Sequence, residues 1–386
     1  WDRLYAVNTL NTTEAGKRSK YVIEERRTDQ QDLNFAANAK WSPLKYFTLT
    51  GGLSYKWNRT ENYKILDDLL GGDYYVNIDQ FAERDYAAYP TMIQNDLDYY
   101  LQNGKAQTLK KGDKYGYDYY ANVRRAEAWA AGRFTFAGLD ASIAGRIGYT
   151  KFWREGLVRK GLFPGLDANG APMEFEGAEI TTYDPITKEA ITSLGKSDVK
   201  DFLTGGVKLN LSYVIRGGHR VYADAAYVTD APRFNQAFVS PRTRNSIVPD
   251  LKTSKTFAAD LNYAYSNSGY DVRVTGYYTT IKDQSKVMSF YDDAQNSFTN
   301  FAMSGMDERH VGVELGFKVP LPVPNLSLQG VLSYGQYVYT SNPVMYQTYD
   351  NSAAIVEETY GVTIPYWKSH PTADGKTVKH YVSGTP

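Results

Sequence analysis

The segment Phe257–Asp283, with the sequence FAADLNYAYSNSGYDVRVTGYYTTIKD, decides the fold of this chain. Two arms with alternating side chains flank the short polar stretch Ser266–Gly269. The apolar and aromatic positions share one parity and are Phe257, Ala259, Leu261, Tyr263 and Tyr265 in the first arm and Tyr270, Val272, Val274 and Tyr278 in the second. Charged side chains such as Asp260 and Arg273 occupy the other parity. A period of two that resumes after a turn predicts a β-hairpin with one apolar and one polar face.

Four further hairpins with the same alternation are predicted along the chain. Their arms cover residues 33–41 and 47–57, 125–136 and 139–149, 203–215 and 221–227, and 311–319 and 326–334. Together the five hairpins give ten strands. Each strand is about as long as the 9–11 residues that a tilted strand needs to cross a bilayer.

The connections between these strands alternate strictly between two lengths. Those within a hairpin are short, whereas those between hairpins are long and polar, at about residues 58–118, 154–200, 229–251, 284–306 and 341–377. A soluble β-sandwich buried on one face is the alternative, but sandwiches space their turns more evenly. Outer-membrane barrels place short periplasmic turns at one end and long extracellular loops at the other. The pattern therefore predicts an all-β fold, a transmembrane antiparallel β-barrel.

Composition narrows the function classes. Among the 386 residues, 15% are aromatic, with 34 Tyr. The sequence contains no run of 18 apolar residues, so it predicts no transmembrane helix. Basic and acidic residues balance at 43 each, so no basic field points to nucleic acid as a partner. Without Cys, disulfides and cysteine-based metal sites are excluded. The sequence predicts no cofactor, no metal site and no catalytic residues.

Two segments carry a family resemblance. Gly276–Val319, with the sequence GYYTTIKDQSKVMSFYDDAQNSFTNFAMSGMDERHVGVELGFKV, resembles the C-terminal barrel region of TonB-dependent outer-membrane receptors, in particular those of Bacteroidetes type. Lys111–Ala130, with the sequence KGDKYGYDYYANVRRAEAWA, is similar to the end of an extracellular loop in the same group. In strand and loop order the resemblance covers most of the chain.

The resemblance implies a receptor and transporter in the outer membrane of a Gram-negative bacterium. Such receptors take up a scarce or large nutrient (a siderophore, cobalamin, glycan or peptide), energised through TonB. Their barrels have about 22 strands around an N-terminal plug. Residues 1–386 are then expected to be a partial barrel domain without the plug. The implied partners are outer-membrane lipid, the TonB system through a missing N-terminal region, and a surface lipoprotein lid. A passive porin-type channel and an outer-membrane enzyme are the alternatives.

The first long connection is rich in acidic residues and tyrosine. Between Glu61 and Asp98 it holds nine acidic side chains against Lys64 and Arg84. Tyrosine offers rigid amphipathic area with one polar group, which suits stacking on a ligand. The candidate ligand-binding residues are Asp73, Tyr74, Tyr75, Asp85, Tyr99, Tyr100, Tyr117 and Tyr119. A solvated loop that packs on its neighbours is the other interpretation. Within it, Thr91–Gly104 predicts a short helix with Thr91 as N-cap.

A second set of candidates comes from the polar parity of the strands. These residues are predicted to face the barrel lumen, and they are Arg125, Glu127, Arg133, Arg146, Lys208, Arg220, Arg273 and Glu314. We expect them to pair with one another or with a plug, and direct contact with a ligand is the alternative interpretation.

Overall fold

The computed structural model describes residues 1–184, 187–293, 297–341 and 343–350. Ten long antiparallel strands form one sheet in which each strand pairs with its neighbours in the chain. Numbered in chain order, they are β1 Ile23–Leu44, β2 Phe47–Asp68, β3 Lys114–Phe136, β4 Leu139–Gly156, β5 Lys200–Ile215, β6 His219–Asp230, β7 Ser254–Asn267, β8 Tyr270–Asp292, β9 Ser297–Pro320 and β10 Ser327–Tyr339. The predicted fold class, an all-β antiparallel architecture built from consecutive hairpins, is confirmed.

The register places the two parities of each strand on opposite faces of the sheet. In the hairpin β7–β8, Leu261 lies opposite Gly276 and Asn262 lies opposite Thr275. Cross-strand partners share a face, so the apolar residues of neighbouring strands form one continuous surface, the apolar face. Nothing in the described part of the chain covers it: Leu203 is 68% exposed and Leu261 is 61% exposed.

The width of this apolar face matches a bilayer. On β3 its side chains run without a charge from Phe136 to Ala126, and on β4 from Leu139 to Tyr149. Ten residues extend about 33 Å along a strand. At a tilt near 40° that length spans about 25 Å of membrane thickness, the usual height of the lipid-facing band in an outer-membrane barrel.

Tight turns join the strands at one end of the sheet. Ala137 and Gly138 connect β3 to β4 with φ of 49° and 86°, and Ser268 and Gly269 connect β7 to β8 with φ of 51° and 85°. Positive φ at both central residues is the requirement of the type I′ turn, whose twist matches that of paired strands.

Several strands extend beyond their predicted ends. The predicted loop 58–118 is strand up to Asp68 and again from Lys114, and the predicted loop 284–306 is strand up to Asp292 and again from Ser297. The apolar period ends there because these parts lie beyond the apolar face, and a bulge between Ile281 and Lys286 also shifts the register. Residues 344–349 of the predicted loop 341–377 pair with β9 as a strand, Val344–Tyr349. The remainder, from residue 351, lies outside the described residues.

Small elements occupy the long connections. The helices are α1 Asp2–Leu10, α2 Gln80–Tyr86 and α3 Leu97–Asn103, with a 3₁₀ turn at Phe234–Gln236. Short strand pairs are Thr12–Thr13 with Gly16–Lys17, Tyr75–Val76 with Thr108–Leu109, and Glu174–Phe175 with Ala178–Glu179, while Gly195–Lys196 pairs with β4. Across the described ranges, no helix combines the length and hydrophobicity that crossing a membrane would require.

The predicted helix at Thr91–Gly104 is shorter than expected. It begins after Asp96, whose side chain accepts a hydrogen bond from the Tyr99 amide at 2.9 Å, and it ends at Gly104 in the left-handed conformation. Thr91 as N-cap was wrong because Asp96 satisfies the first-turn amide instead.

The buried core lies between the polar face of the sheet and the long connections that fold onto it. Phe238, from the connection 231–253, packs on Phe152 of β4, with Val123 and Phe202 beside them on the same face. The connections also pack on one another, as Ala82 does on Phe163 and Ile191. We call this layer of the connections 69–113, 157–199 and 231–253 the cap. It brings side chains that are distant in the sequence together above the polar face.

Candidate functional site

The eight charged residues predicted to face a lumen all lie on the polar face. The strand register makes this face continuous from β3, where Arg125 lies opposite Lys56 of β2, to β8, where Arg273 lies opposite Gly316 of β9. They form local clusters. Arg125 and Arg146 both contact Glu127, at 2.6 and 3.4 Å, Arg133 pairs with Asp140, and Arg220 and Arg273 flank the Tyr222 ring. Within the described residues, Lys208 and Glu314 form no ion pair.

A chamber of about 320 Å³ opens above the polar face, where β1, β2 and β3 meet the cap. Its aromatic side chains are Tyr21, Tyr75, Phe81, Tyr115, Tyr117 and Phe298. Its charged side chains are Lys20, Glu24, Arg26, Lys64, Asp79, Lys160, Arg242 and Asp350. Aromatic walls with a few convergent polar groups are typical of small-molecule sites.

Ion pairs hold most of the charged groups of the chamber in place. Glu24 accepts hydrogen bonds from Lys64 at 2.8 Å and from Arg26 at 2.7 Å, and it therefore faces two cations. Lys160 reaches Asp79 at 3.4 Å and Asn95 at 2.7 Å.

The remaining cations have no carboxylate partner. Arg242 lies over the Phe298 ring at 5.4 Å, and among the described residues neither it nor Lys20 pairs with an acid. The Asp350 carboxylate accepts from the neutral side chains of Ser240 and Asn300. The five cations against three carboxylates in the chamber wall leave a surplus of positive charge.

Two of the predicted ligand-binding residues line this chamber. They are Tyr75 and Tyr117. The Tyr75 ring packs edge-on against Tyr115 at 5.6 Å, and burial raises the pKa of Tyr75 to about 12. Tyr75 is therefore a neutral phenol at physiological pH, and its hydroxyl accepts a hydrogen bond from Gln80. Tyr119 does not line the chamber, and its ring lies 6.1 Å from the ring of Tyr117.

The structure does not bring the other predicted residues to the chamber. Asp73 accepts from the Lys17 amide at 2.8 Å and the Tyr74 hydroxyl contacts Thr13 at 2.7 Å, so both tie the N-terminal segment to the cap. Asp85 pairs with its neighbour Arg84. Tyr100 packs near Phe175 and, like Tyr99, belongs to α3. The acidic character of the first connection therefore does not describe the chamber.

Sequence reasoning missed the cations of the chamber. Glu24 and Arg26 continue the polar parity of β1 nine and seven residues before Leu33, the first predicted apolar position, where the alternation does not mark a strand. Lys160 and Arg242 come from different connections, and no local sequence pattern indicates that both line the same chamber.

Two arginine side chains are buried among the connections of the cap, Arg154 and Arg244. Arg154 donates to the Pro241 carbonyl at 2.6 Å and to the Ser193 carbonyl at 2.7 Å, joining β4 to two connections. Arg244 is almost fully buried over the Phe163 ring at 4.9 Å, and this burial lowers its pKa from the ordinary value.

Comparison with known proteins adds one informative match. No family model matches the chain, and no curated protein does. Among solved structures, the chain is similar to the copper transporter OprC, with a TM-score of 0.51 and 13% identity over 84% of this chain and 42% of that chain. It thus spans less than half of the length of OprC. At this identity the similarity concerns the fold alone.

The fold is that of an outer-membrane β-barrel wall. Two other matches have TM-scores too low to support an argument. They are the siderophore receptor PirA from Pseudomonas aeruginosa, at 0.33 and 10% identity over 86% of this chain and 63% of that chain, and the outer membrane transporter YddB from Escherichia coli, at 0.37 and 10% over 82% and 43%.

Proposed function

We propose that this chain is the wall and part of the ligand site of an outer-membrane receptor that transports a nutrient into a Gram-negative cell. The observation that carries the proposal is the chamber. The long connections pack against the polar face instead of extending into solvent, and together they enclose a site with aromatic walls and a surplus of cations. A wall built for passive flow would need no such packed cap.

The proposal extends to the energy source and the orientation. The eight charged residues of the polar face line the lumen, the tight turns face the periplasm, and the cap faces the outside. Transport is energised through TonB, which engages a part of the protein outside residues 1–386, and a plug and a surface lipoprotein lid complete the receptor. These additions rest on the sequence resemblance to TonB-dependent receptors of Bacteroidetes type.

The nutrient class is left to experiment. A chamber of about 320 Å³ accommodates a part of a large ligand such as a siderophore, cobalamin, a glycan or a peptide, in keeping with a site shared by several elements.

The test is uptake by a deletion strain that carries variants of the full-length protein. Growth is measured on limiting iron, cobalamin, glycan and peptide sources. The double variant Tyr117→Ala/Arg242→Gln changes two chamber residues and is expected to raise the half-saturating nutrient concentration at least tenfold. The control Tyr100→Ala changes a tyrosine outside the chamber and is expected to leave uptake unchanged.

Two outcomes would contradict the proposal. Equal growth of the double variant and the control on every source would separate the chamber from transport. Undiminished uptake in a strain without TonB would favour a passive porin-type channel instead.

A further inference from the structure

A group of cations lies on the outward side of the sheet, at the end that carries the cap. Arg124 of β3 and Lys151 of β4 are direct cross-strand partners, and Lys196 extends from the neighbouring short strand. We call Arg124, Lys151 and Lys196 the cation row. Arg124 and Lys151 are the next outward-facing side chains after Ala126 and Tyr149 of the apolar face, and Lys196 lies further along the same face, opposite Glu155. In a membrane the cation row would therefore lie at the level of the headgroups.

Two tryptophans orient two members of the cation row, Arg124 and Lys196. The guanidinium of Arg124 lies between the ring of Trp57 at 4.6 Å and the ring of Trp153 at 5.1 Å. The amino group of Lys196 lies 4.9 Å from the Trp153 ring. Stacking on aromatic rings orients a cation without neutralising it.

Two carboxylates lie directly opposite the lysines of the cation row, Asp201 opposite Lys151 and Glu155 opposite Lys196, but in the described ranges neither forms an ion pair with its lysine. Glu155 pairs with Arg59 at 3.9 Å, and Asp201 accepts a hydrogen bond from the Tyr149 hydroxyl at 3.1 Å. Within the described ranges, none of the three cations forms an ion pair. Two like charges directly opposite in a sheet destabilise it, and Arg124 and Lys151 form such a pair.

Arg124 also has hydrogen-bond donors that are available to a ligand. Its Nη1 donates to the carbonyls of Asn58 at 2.7 Å and of Val123 at 2.9 Å. In the described part of the chain, its Nε and Nη2 donate to no protein atom, and neither is among the buried polar atoms that lack a partner. A planar guanidinium with two available donors beside two ammonium groups matches the geometry of a phosphate.

We propose that the cation row, with Trp57 and Trp153, binds the phosphate of a lipid headgroup. The acyl chains of that lipid lie on the apolar face below, which includes Tyr55, Tyr149 and Leu203. The phosphate accepts from Arg124 and screens it from Lys151. This site is on the outside of the wall, away from the chamber, so it rests on the fold and on the proposed orientation, and not on the proposed transport.

The experiment measures lipid binding to the full-length protein in neutral detergent by native mass spectrometry. The probes are bisphosphorylated lipid A and the same lipid after removal of both phosphates. We expect the phosphorylated form to bind at least tenfold more tightly. Removing a cation near an anionic headgroup weakens binding roughly fivefold, so Arg124→Gln/Lys151→Gln is expected to abolish the preference.

Three controls separate charge from packing. Arg124→Lys keeps the charge and is expected to retain most of the preference. Lys255→Gln removes a cation of the same outward parity that is already paired with Asp283 at 2.8 Å, and it is expected to change nothing. Each variant must show the heat-dependent gel shift of a folded barrel before it is compared.

The proposal is overturned if the double variant retains the preference for phosphorylated lipid A, or if the wild-type protein binds both forms equally. Competition by millimolar inorganic phosphate alone would assign the row to a free anion and would equally overturn the lipid as the ligand.

Discussion

Lys208 and Leu209 are consecutive in β5, yet their side chains meet opposite surroundings. Lys208 lies on the polar face opposite Ala144 and Ala226, whereas Leu209 lies on the apolar face, half exposed, opposite Ile143 and Ala225. At the scale of single residues, the fold assigns each side chain of a strand to one of the two faces. A register shift of one residue would exchange the faces for the whole strand.

Leu209→Arg should therefore prevent assembly of the wall, because an arginine on the lipid face near the bilayer midplane costs about 2–4 kcal/mol. The adjacent change Lys208→Leu should be tolerated. Heat-modifiability gels on membranes containing each variant measure the folded fraction, and equal loss in both would contradict the assignment of faces.

Single residues also show where sequence reasoning ends. The parity of Arg125 or Arg273 could be derived from local alternation, which lipid on one side of the sheet enforces over the whole apolar band. The positions of Arg154 and Arg242 could not, because their partners lie in other connections. Contacts of that kind depend on tertiary packing, which leaves no period in the chain.

Among the elements, the mid-strand segments were predictable and the strand ends were not. All ten strands were located, since each carries at least four alternating apolar positions. Beyond the apolar band the alternation is lost, as in Lys282–Asp292 of β8, where the apolar side chains Val287, Met288, Phe290 and Tyr291 fall on both parities. The extension is held by cross-strand pairing with β9 and by contact with the cap. Val287 there packs on the cluster of Val239 and Val248.

One buried ring, Phe238, anchors the connection 231–253 to the sheet. Phe238 is fully buried and lies 4.7 Å from Phe234 and 6.3 Å from Phe152. Phe238→Ala should destabilise the docked connection by about 3–5 kcal/mol, the usual cost of removing a buried ring.

Hydrogen exchange measures that effect directly. Amides in 231–253 should exchange much faster in Phe238→Ala, while those in β5 and β6 keep their protection. The matched control is Leu203→Ala, which shortens an exposed side chain of the apolar face. Uniform loss of protection over the whole wall would show that the cap and the sheet unfold as one unit.

The whole molecule has one surface for lipid and another for water, and its tryptophans report both. Trp41 belongs to the apolar face and is 63% exposed, whereas Trp129 lies on the polar face opposite Gly52 and Arg146. Both lie within the height of the apolar band, so depth alone does not distinguish them.

Single-tryptophan variants in bilayers with brominated acyl chains should therefore behave differently. Fluorescence of Trp41 should be strongly quenched, because the indole contacts the chains, and that of Trp129 should be nearly unaffected behind the wall. Similar quenching of the two would be incompatible with a membrane-spanning sheet of this orientation.

The strands differ in length around the wall. β6 has 12 residues and β7 has 14, whereas β8 and β9 have 23 and 24. After Lys282, the last partner of β7, ten more residues of β8 continue with β9 alone, about 33 Å along the strand. The rim is therefore stepped, and the connection 231–253 occupies the step, since Val287 of β8 packs on Val239 and Val248 and its amide donates a hydrogen bond to Gln236 at 2.6 Å.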